Sequence, residues 1–181
     1  IVAKLRVAPF IVTLGMMEFA RGIAYWYTNS APISWKNAEC AGTFSFIGKG
    51  RLFGAIPTLS VIMIICIVIV WFIVKKTSLG RIIYAIGGNE EAVKLSGINV
   101  SKWKIAPYIF CAVCAGIAGI LLTARLGVGA PTNGEDLAND CIAAVVVGGT
   151  SFTGGKGNIS GVIIGVFILG IINNLLDLMN V

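Results

Sequence analysis

The sequence lacks histidine and is poor in charge, with 14 Lys or Arg and 8 Asp or Glu among 181 residues, or 12% charged. Ordinary soluble domains carry about 25% charged residues, roughly twice this fraction. Because 57% of the residues are hydrophobic and the mean hydropathy is +0.91, a soluble fold would lack the polar surface to cover them. These shortages exclude an ordinary soluble domain and indicate a chain whose apolar exterior is solvated by lipid.

The missing histidines also argue against metal, redox and catalytic sites. Cys111 and Cys114 have the spacing of a redox or metal pair, but they lie in an apolar segment of a chain without histidine. We interpret them as small apolar residues that pack between helices. Only Cys40 falls in a predicted external loop, so no disulfide framework is expected. No nucleophile–base pair stands out, which disfavours a membrane-embedded enzyme, and no metal or cofactor is expected.

Several apolar stretches have the length needed to cross a bilayer, about 20 residues for a ~30 Å hydrocarbon core. The first is less apolar because it contains Glu18 and Arg21, which are three residues apart and can neutralise each other on one helix face. No linker or low-complexity tract divides the chain, so we expect residues 1–181 to be an internal piece of one longer transmembrane domain. Spans are predicted at residues 8–27, 56–74, 105–124 and 159–179.

The distribution of basic residues predicts the orientation. Six of the 14 lie in the segment 75–104 between two spans, which marks this loop as cytoplasmic: Lys75, Lys76, Arg81, Lys94, Lys102 and Lys104. The loops 28–55 and 125–136 are then external. Because position explains the net charge of +6, a nucleic-acid partner is not expected.

The segment 137–150 predicts a broken or re-entrant helix. Leu137–Val147 contains Asp140 and is too short to span before the glycine-rich run 148–157 begins. Irregular backbone at membrane depth is tolerated only inside protein or beside a water-filled cavity. We therefore expect this segment inside the bundle, near a translocation path. Gly157, Gly161 and Gly165 recur at four-residue spacing, which favours close helix packing.

The cytoplasmic loop predicts a short capped helix. Asn89 is a good N-cap, Glu90 and Glu91 suit the first turn, and the helix Glu90–Ser96 is expected to end at Gly97 in a C-cap role. An ordinary solvated connector is an equally good interpretation on these grounds. A membrane protein, however, has little reason to build such a helix unless a partner docks there.

Glu91–Gly97 resembles the E-A-A-x-x-x-G pattern in the coupling loop of ABC importer permeases, with Val93 in place of the second alanine. The longer strings GRIIYAIGGNEEAVKLSGINVSKWKI, PFIVTLGMMEFARGIAYWYT and AAVVVGGTSFTGGKGNISGVIIGVFILGIINN resemble the ribose/galactose branch of that family, within the branched-chain amino acid/sugar permeases. The similarity covers essentially the whole chain in the order that the family has.

The resemblance and the apolar pattern together imply an all-α integral membrane protein, a polytopic helical bundle with a broken or re-entrant helix near 137–158. The implied function is ATP-driven import of a monosaccharide such as ribose or galactose by alternating access. The chain would be a transport subunit and not an enzyme, with ATP hydrolysis in separate ATPase subunits. The other implied partners are an extracytoplasmic sugar-binding protein, a second permease copy in a homo- or heterodimer, and the lipid bilayer of a bacterial cell membrane.

The resemblance assigns ATPase docking by motif to Asn89, Glu90, Glu91, Ala92, Lys94, Leu95, Ser96 and Gly97. It transfers no sugar site. The polar residues that are candidates for a translocation path, each of which could instead satisfy a neighbouring helix, are Glu18, Arg21, Asn139, Asp140, Asn173 and Asn174. Two alternatives stay open: an ion-coupled secondary transporter, and an ABC permease for another small solute such as branched-chain amino acids.

Overall fold

The computed structural model describes residues 9–34, 41–52, 54, 56–151 and 154–179. Cys40, the first residue of the predicted span 8–27 and both ends of the predicted domain 1–181 lie outside this part of the chain. The described residues are predominantly helical, which confirms the predicted all-α class. Their elements are α1 (Pro9–Thr28), β1 (Ile33–Ser34), α2 (Ala41–Lys49), β2 (Arg51–Leu52), β3 (Ile56–Pro57), α3 (Thr58–Lys76), α4 (Ser78–Gly88), α5 (Glu90–Leu95), α6 (Val100–Leu126), β4 (Val128–Gly129), α7 (Leu137–Val147) and α8 (Ile159–Leu178).

Within the described residues, α3, α6 and α8 are long and apolar enough to cross a membrane, judged by length and composition. The 19 residues of α3 extend for about 28 Å at 1.5 Å per residue, close to the thickness of a hydrocarbon core. Large apolar side chains of these helices are exposed, as lipid-facing side chains would be. Ile64 of α3 is 55% exposed and Phe167 of α8 is 63% exposed. Helix α1 has a comparable length but carries Glu18 and Arg21, and its crossing of the bilayer stays a prediction.

Two helices begin elsewhere than the apolar runs suggest. The run that starts at Ile56 becomes helical only at Thr58, because Ile56–Pro57 pairs with Arg51–Leu52 as an antiparallel hairpin. Helix α6 begins at Val100, so Lys102 and Lys104 lie in its first turns and not in a loop. It also continues through Pro107, which membrane helices tolerate because neighbouring groups satisfy the freed carbonyl.

The chain forms two compact units, of which the first contains residues 1–69 and 104–133. In this unit the two loops predicted to be external meet: β1 pairs antiparallel with β4, with Ile33 opposite Gly129. Helix α2 contacts the end of α6, where a Cβ on Gly48 would lie 2.7 Å from the amide nitrogen of Arg125. These contacts agree with the predicted placement of both loops on one side of the membrane.

The second unit contains residues 70–103 and 134–181. Helix α7 has 11 residues and is followed by the glycine-rich segment, so the predicted broken helix is present. Helices α7 and α8 form an antiparallel hairpin: Ala144 contacts Gly165, and a Cβ on Gly148 would lie 2.7 Å from the carbonyl oxygen of Gly161. The small residues of α8 therefore allow helix packing within this chain. In the same unit Thr77 separates α3 from α4.

Candidate functional site

Helix α5 is a short, separately capped helix between two longer ones. Asn89 has extended backbone angles, its side-chain oxygen accepts a hydrogen bond from the amide of Ala92 at 3.1 Å, and its own N–H donates to the carbonyl of Ala85 at 3.0 Å. Asn89 therefore ends α4 and starts α5 at once. Helix α4 includes the glycine pair 87–88, and the break between α4 and α5 falls at Asn89, the N-cap that the sequence predicted.

The C-terminal end of α5 is also closed by local hydrogen bonds. The helix ends at Leu95, one residue before the predicted Ser96, whose hydroxyl and amide both donate to the carbonyl of Ala92. Gly97 has a φ of +78° and its N–H donates to the carbonyl of Lys94. A positive φ is the conformation that favours glycine after a helix, so Gly97 has the C-cap role that the sequence predicted.

The side chains of α5 divide into an inner and an outer face. Val93 is on the inner face and is only 7% exposed. Lys94 forms an ion pair of 2.8 Å with Glu90, which lies one turn earlier in the helix. The outer face consists of Glu91, Ala92 and Leu95, and Leu95 is 90% exposed. We call it the docking face because the family resemblance predicts docking at these residues. Val93 is the residue that departs from the coupling motif, and it is buried. The departure therefore leaves the docking face unchanged.

The last turns of α4 contact the glycine-rich segment between α7 and α8. A Cβ on Gly155 would lie 2.8 Å from the Cα of Gly88, and a Cβ on Gly87 would overlap the amide nitrogen of Gly155. The hydroxyl of Tyr84 donates a hydrogen bond of 3.1 Å to the carbonyl of Gly157. We call these five residues the glycine junction: Tyr84, Gly87, Gly88, Gly155 and Gly157.

The described part of the glycine-rich segment is held by further short-range contacts. The amide of Ser151 donates to the carbonyl of Lys156 at 3.1 Å, which closes a turn. Asn158 then caps α8, its side chain accepting from the amide of Ser160 at 3.2 Å. The hydroxyl of Thr150 is buried without a hydrogen-bond partner among the described residues.

The six polar candidates for a path fall into two groups. Glu18 and Arg21 form an ion pair of 3.3 Å on α1, in the first unit, as their spacing predicted. Asn139 and Asp140 lie in the first turn of α7, and Asn173 and Asn174 near the end of α8. Extending the antiparallel register of the hairpin places all four near the end that is remote from the glycine-rich segment, and all four are exposed.

Sequence reasoning missed the glycine junction. The sequence contains glycine pairs at 87–88 and 154–155, but it gives no means of deciding that they contact each other across more than sixty residues. The available signal was the presence of one glycine pair in the predicted cytoplasmic loop and another in the glycine-rich run. Such pairs permit a backbone-to-backbone approach that any Cβ would prevent.

The fold and the site define a class: a polytopic α-helical membrane protein that has a broken helix and a separately capped connecting helix. Comparison with known proteins specifies the family. Residues 1–180 match the family described as branched-chain amino acid transport system / permease component. The chain belongs to this permease family, which confirms the family predicted from the resemblance.

Curated relatives match the whole chain at moderate identity. The chain is 50% identical over 181 residues to the ribose import permease protein RbsC of Escherichia coli (strain K12), covering 100% of this chain and 56% of the relative. It is 40% identical over 175 residues to the D-allose transport system permease protein AlsC of the same strain, covering 96% and 52%. It is 34% identical over 182 residues to the fructose import permease protein FrcC of Rhizobium meliloti, covering 99% and 51%.

The chain thus spans about half the length of the curated relatives it matches. No solved structure matches it.

Proposed function

We propose that this chain forms part of the membrane permease of an ATP-driven importer for a monosaccharide, in a bacterial cell membrane. The observation that carries the proposal is the capped helix α5 with its exposed docking face, in a chain that belongs to a permease family. Membership of the permease family supports a transport function, and the docking face supports ATP hydrolysis by separate subunits that bind there. The three relatives are named for ribose, D-allose and fructose, which supports a monosaccharide as the substrate class.

The proposed mechanism is alternating access. Two cytoplasmic ATPase subunits close on ATP and displace α5 through Glu91, Ala92 and Leu95, while the Glu90–Lys94 pair and the Asn89 cap keep the helix rigid. The spanning helices respond by opening the path outward. A sugar-binding protein docks on the joined external loops around β1 and β4 and releases its sugar into that path. A second permease copy, identical or paralogous, completes the pore.

The polar end of the α7–α8 hairpin is the proposed part of the path that contacts sugar. Asn139, Asp140, Asn173 and Asn174 offer amide and carboxylate groups, which hydrogen-bond sugar hydroxyls. Their exposure within the chain leaves them available to substrate or to a neighbouring helix. The Glu18–Arg21 pair on α1 is a separate candidate for a translocation path, and its mutual neutralisation lowers the cost of two charges in the membrane.

The test uses the full-length permease reconstituted in proteoliposomes with its ATPase and sugar-binding subunits. Leu95→Asp places a charge on the docking face, whose apolar burial would contribute about 1.5–3 kcal/mol per large side chain. We expect ATPase binding to weaken about tenfold or more, with a parallel loss of ATP-driven ribose uptake. Ser101→Asp adds the same charge at an exposed position of α6 outside the motif and should behave as wild type.

Two outcomes would replace the proposal. Leu95→Asp with full ATPase binding and normal uptake would remove the docking role of α5. Uptake that persists without ATP and collapses when an ionophore dissipates the ion gradient would indicate a secondary transporter, in which broken helices also occur. The family description names branched-chain amino acids, so labelled leucine is tested beside ribose and galactose. Transport of leucine alone would correct the substrate class.

A further inference from the structure

We propose that the glycine junction is a mechanical joint that transmits the displacement of α5 to the α7–α8 hairpin, with Tyr84 as its positioning residue. The inference rests on the proposed function and adds to it the route by which a displacement caused by the ATPase subunits is transmitted to the broken helix. Along the chain, the docking face is separated from α7 by the whole of α6. Through the junction, only Asn89 and the last turn of α4 lie between the docking face and the glycine-rich segment that joins α7 to α8.

The first step of the route is rigid because one residue serves both helices. The side-chain oxygen of Asn89 accepts a hydrogen bond from the amide of Ala92 in α5. The backbone amide of Asn89 donates a hydrogen bond to the carbonyl of Ala85 in α4. A displacement of α5 therefore reaches the end of α4 without an intervening flexible linker. Gly87 and Gly88 lie at this end and belong to α4.

The second step is a direct contact between the backbones of Gly88 and Gly155, with no side chain between them. A Cβ on Gly155 would lie 2.8 Å from both the amide nitrogen and the Cα of Gly88, so the two backbones are in direct contact. Gly155 has a φ of +72°, a conformation that other residues rarely adopt. Packed backbones transmit strain, since protein interiors have low compressibility.

The third step adds direction to the contact. The hydroxyl of Tyr84 donates to the carbonyl of Gly157, which is one residue before the α8 cap Asn158. The contact alone allows α4 to push on the segment, and the hydrogen bond also allows it to pull. The pushed segment is continuous with α7 and α8, whose backbones contact each other at Gly148 and Gly161, so the hairpin moves as one element.

The experiment compares three variants of the full-length permease in the reconstituted importer. Gly87→Ala adds a methyl group that would overlap the backbone of Gly155. Gly116→Ala, on α6 and outside the junction, is the matched control, because its Cβ would meet no described atom within 4 Å. Tyr84→Phe removes the hydrogen bond without adding any atom that could prevent folding. Each variant is assayed for bound ATPase subunits, for ATP hydrolysis stimulated by the binding protein, and for sugar taken up per ATP hydrolysed.

We expect all three variants to bind the ATPase and hydrolyse ATP as wild type does. Sugar uptake per ATP should fall about three- to tenfold in Tyr84→Phe, the scale set by losing one hydrogen bond, and at least as much in Gly87→Ala, and it should be unchanged in Gly116→Ala. A merely structural role would instead lower ATPase binding and uptake together, and that result would overturn the joint.

Failure of the joint and failure of the proposed function give different results. If wild-type permease shows ATP-driven uptake and Tyr84→Phe retains its full uptake per ATP, the joint is overturned and the importer stands. If wild-type permease shows no ATP-driven uptake, the proposed function is overturned, and the joint with it.

Discussion

Gly165 of α8 lies against the carbonyl group of Ala144 of α7 so closely that a Cβ at this position would overlap the carbonyl oxygen. The same Cβ would lie 2.9 Å from the amide nitrogen of Gly148. The approach depends on small residues, because association of helices in lipid relies on close packing and receives no hydrophobic driving force. The hairpin of the broken helix is therefore held by backbone proximity.

The first prediction follows from this contact. Gly165→Ala forces α7 and α8 apart, and overpacking of this kind costs about 1–3 kcal/mol. We expect the variant to unfold at a lower temperature than wild type in detergent, measured by a thermal shift of the purified protein. Gly170→Ala, one and a half turns further along the same helix, is the control, because its Cβ would meet no described atom within 4 Å. Equal melting temperatures for the two variants would contradict the hairpin.

The second prediction concerns the cap shared by α4 and α5. Asn89→Ala removes the side-chain acceptor for the amide of Ala92, and such a loss costs about 1 kcal/mol of helix stability. We expect faster hydrogen exchange at the amides of residues 91–95 and weaker ATPase binding, both measured on the full-length permease. Asn89→Asp keeps an acceptor and should restore both. If Asn89→Asp is as defective as Asn89→Ala, the amide itself has another role.

Much of this fold could be predicted because the bilayer imposes long apolar helices and because caps are local. The Asn89 cap, the Gly97 turn and the short α7 each depend on residues within a few positions of one another, so the sequence contains their whole cause. The three long apolar helices α3, α6 and α8 could be predicted from a count of apolar residues. The predicted spans 56–74 and 105–124 do not give the helix starts at Thr58 and Val100, because apolar content alone does not distinguish a strand or a charged first turn from a spanning helix.

The glycine junction and the β1–β4 pairing could not be predicted, because both join segments far apart in sequence. Positive-inside charge places loops on a side of the membrane but does not select which loops touch. Ile33 and Val128 carry no pairing signal beyond their β-propensity, and two-residue strands are too short for periodicity to reveal. The residues that line a path could not be predicted either, because isolated Asn and Asp residues in apolar helices form no spacing pattern that would group them.

The third prediction tests whether the Glu18–Arg21 pair lies at membrane depth. Arg21→Met leaves Glu18 without this partner, which costs about 2.5–3.5 kcal/mol at the bilayer centre but only about 0–1 kcal/mol in water. If α1 spans the membrane, we expect poor insertion of Arg21→Met and recovery in the double variant Glu18→Gln/Arg21→Met. Insertion is measured by the fraction of protein recovered in the membrane pellet. Normal insertion of the single variant would place the pair in the aqueous interface.

The fourth prediction tests the orientation on which the docking face depends. In a full-length permease freed of its native cysteines, Glu91→Cys is on α5 and Thr132→Cys is in the external loop after β4, and both positions are exposed. A membrane-impermeant maleimide should label Thr132→Cys in intact cells and Glu91→Cys only in inverted vesicles. The two variants control for each other, since each must react in one preparation. Labelling of Glu91→Cys from outside intact cells would put α5 beyond the reach of a cytoplasmic ATPase. The positive charge of the segment 75–104 then could not be explained by the positive-inside rule.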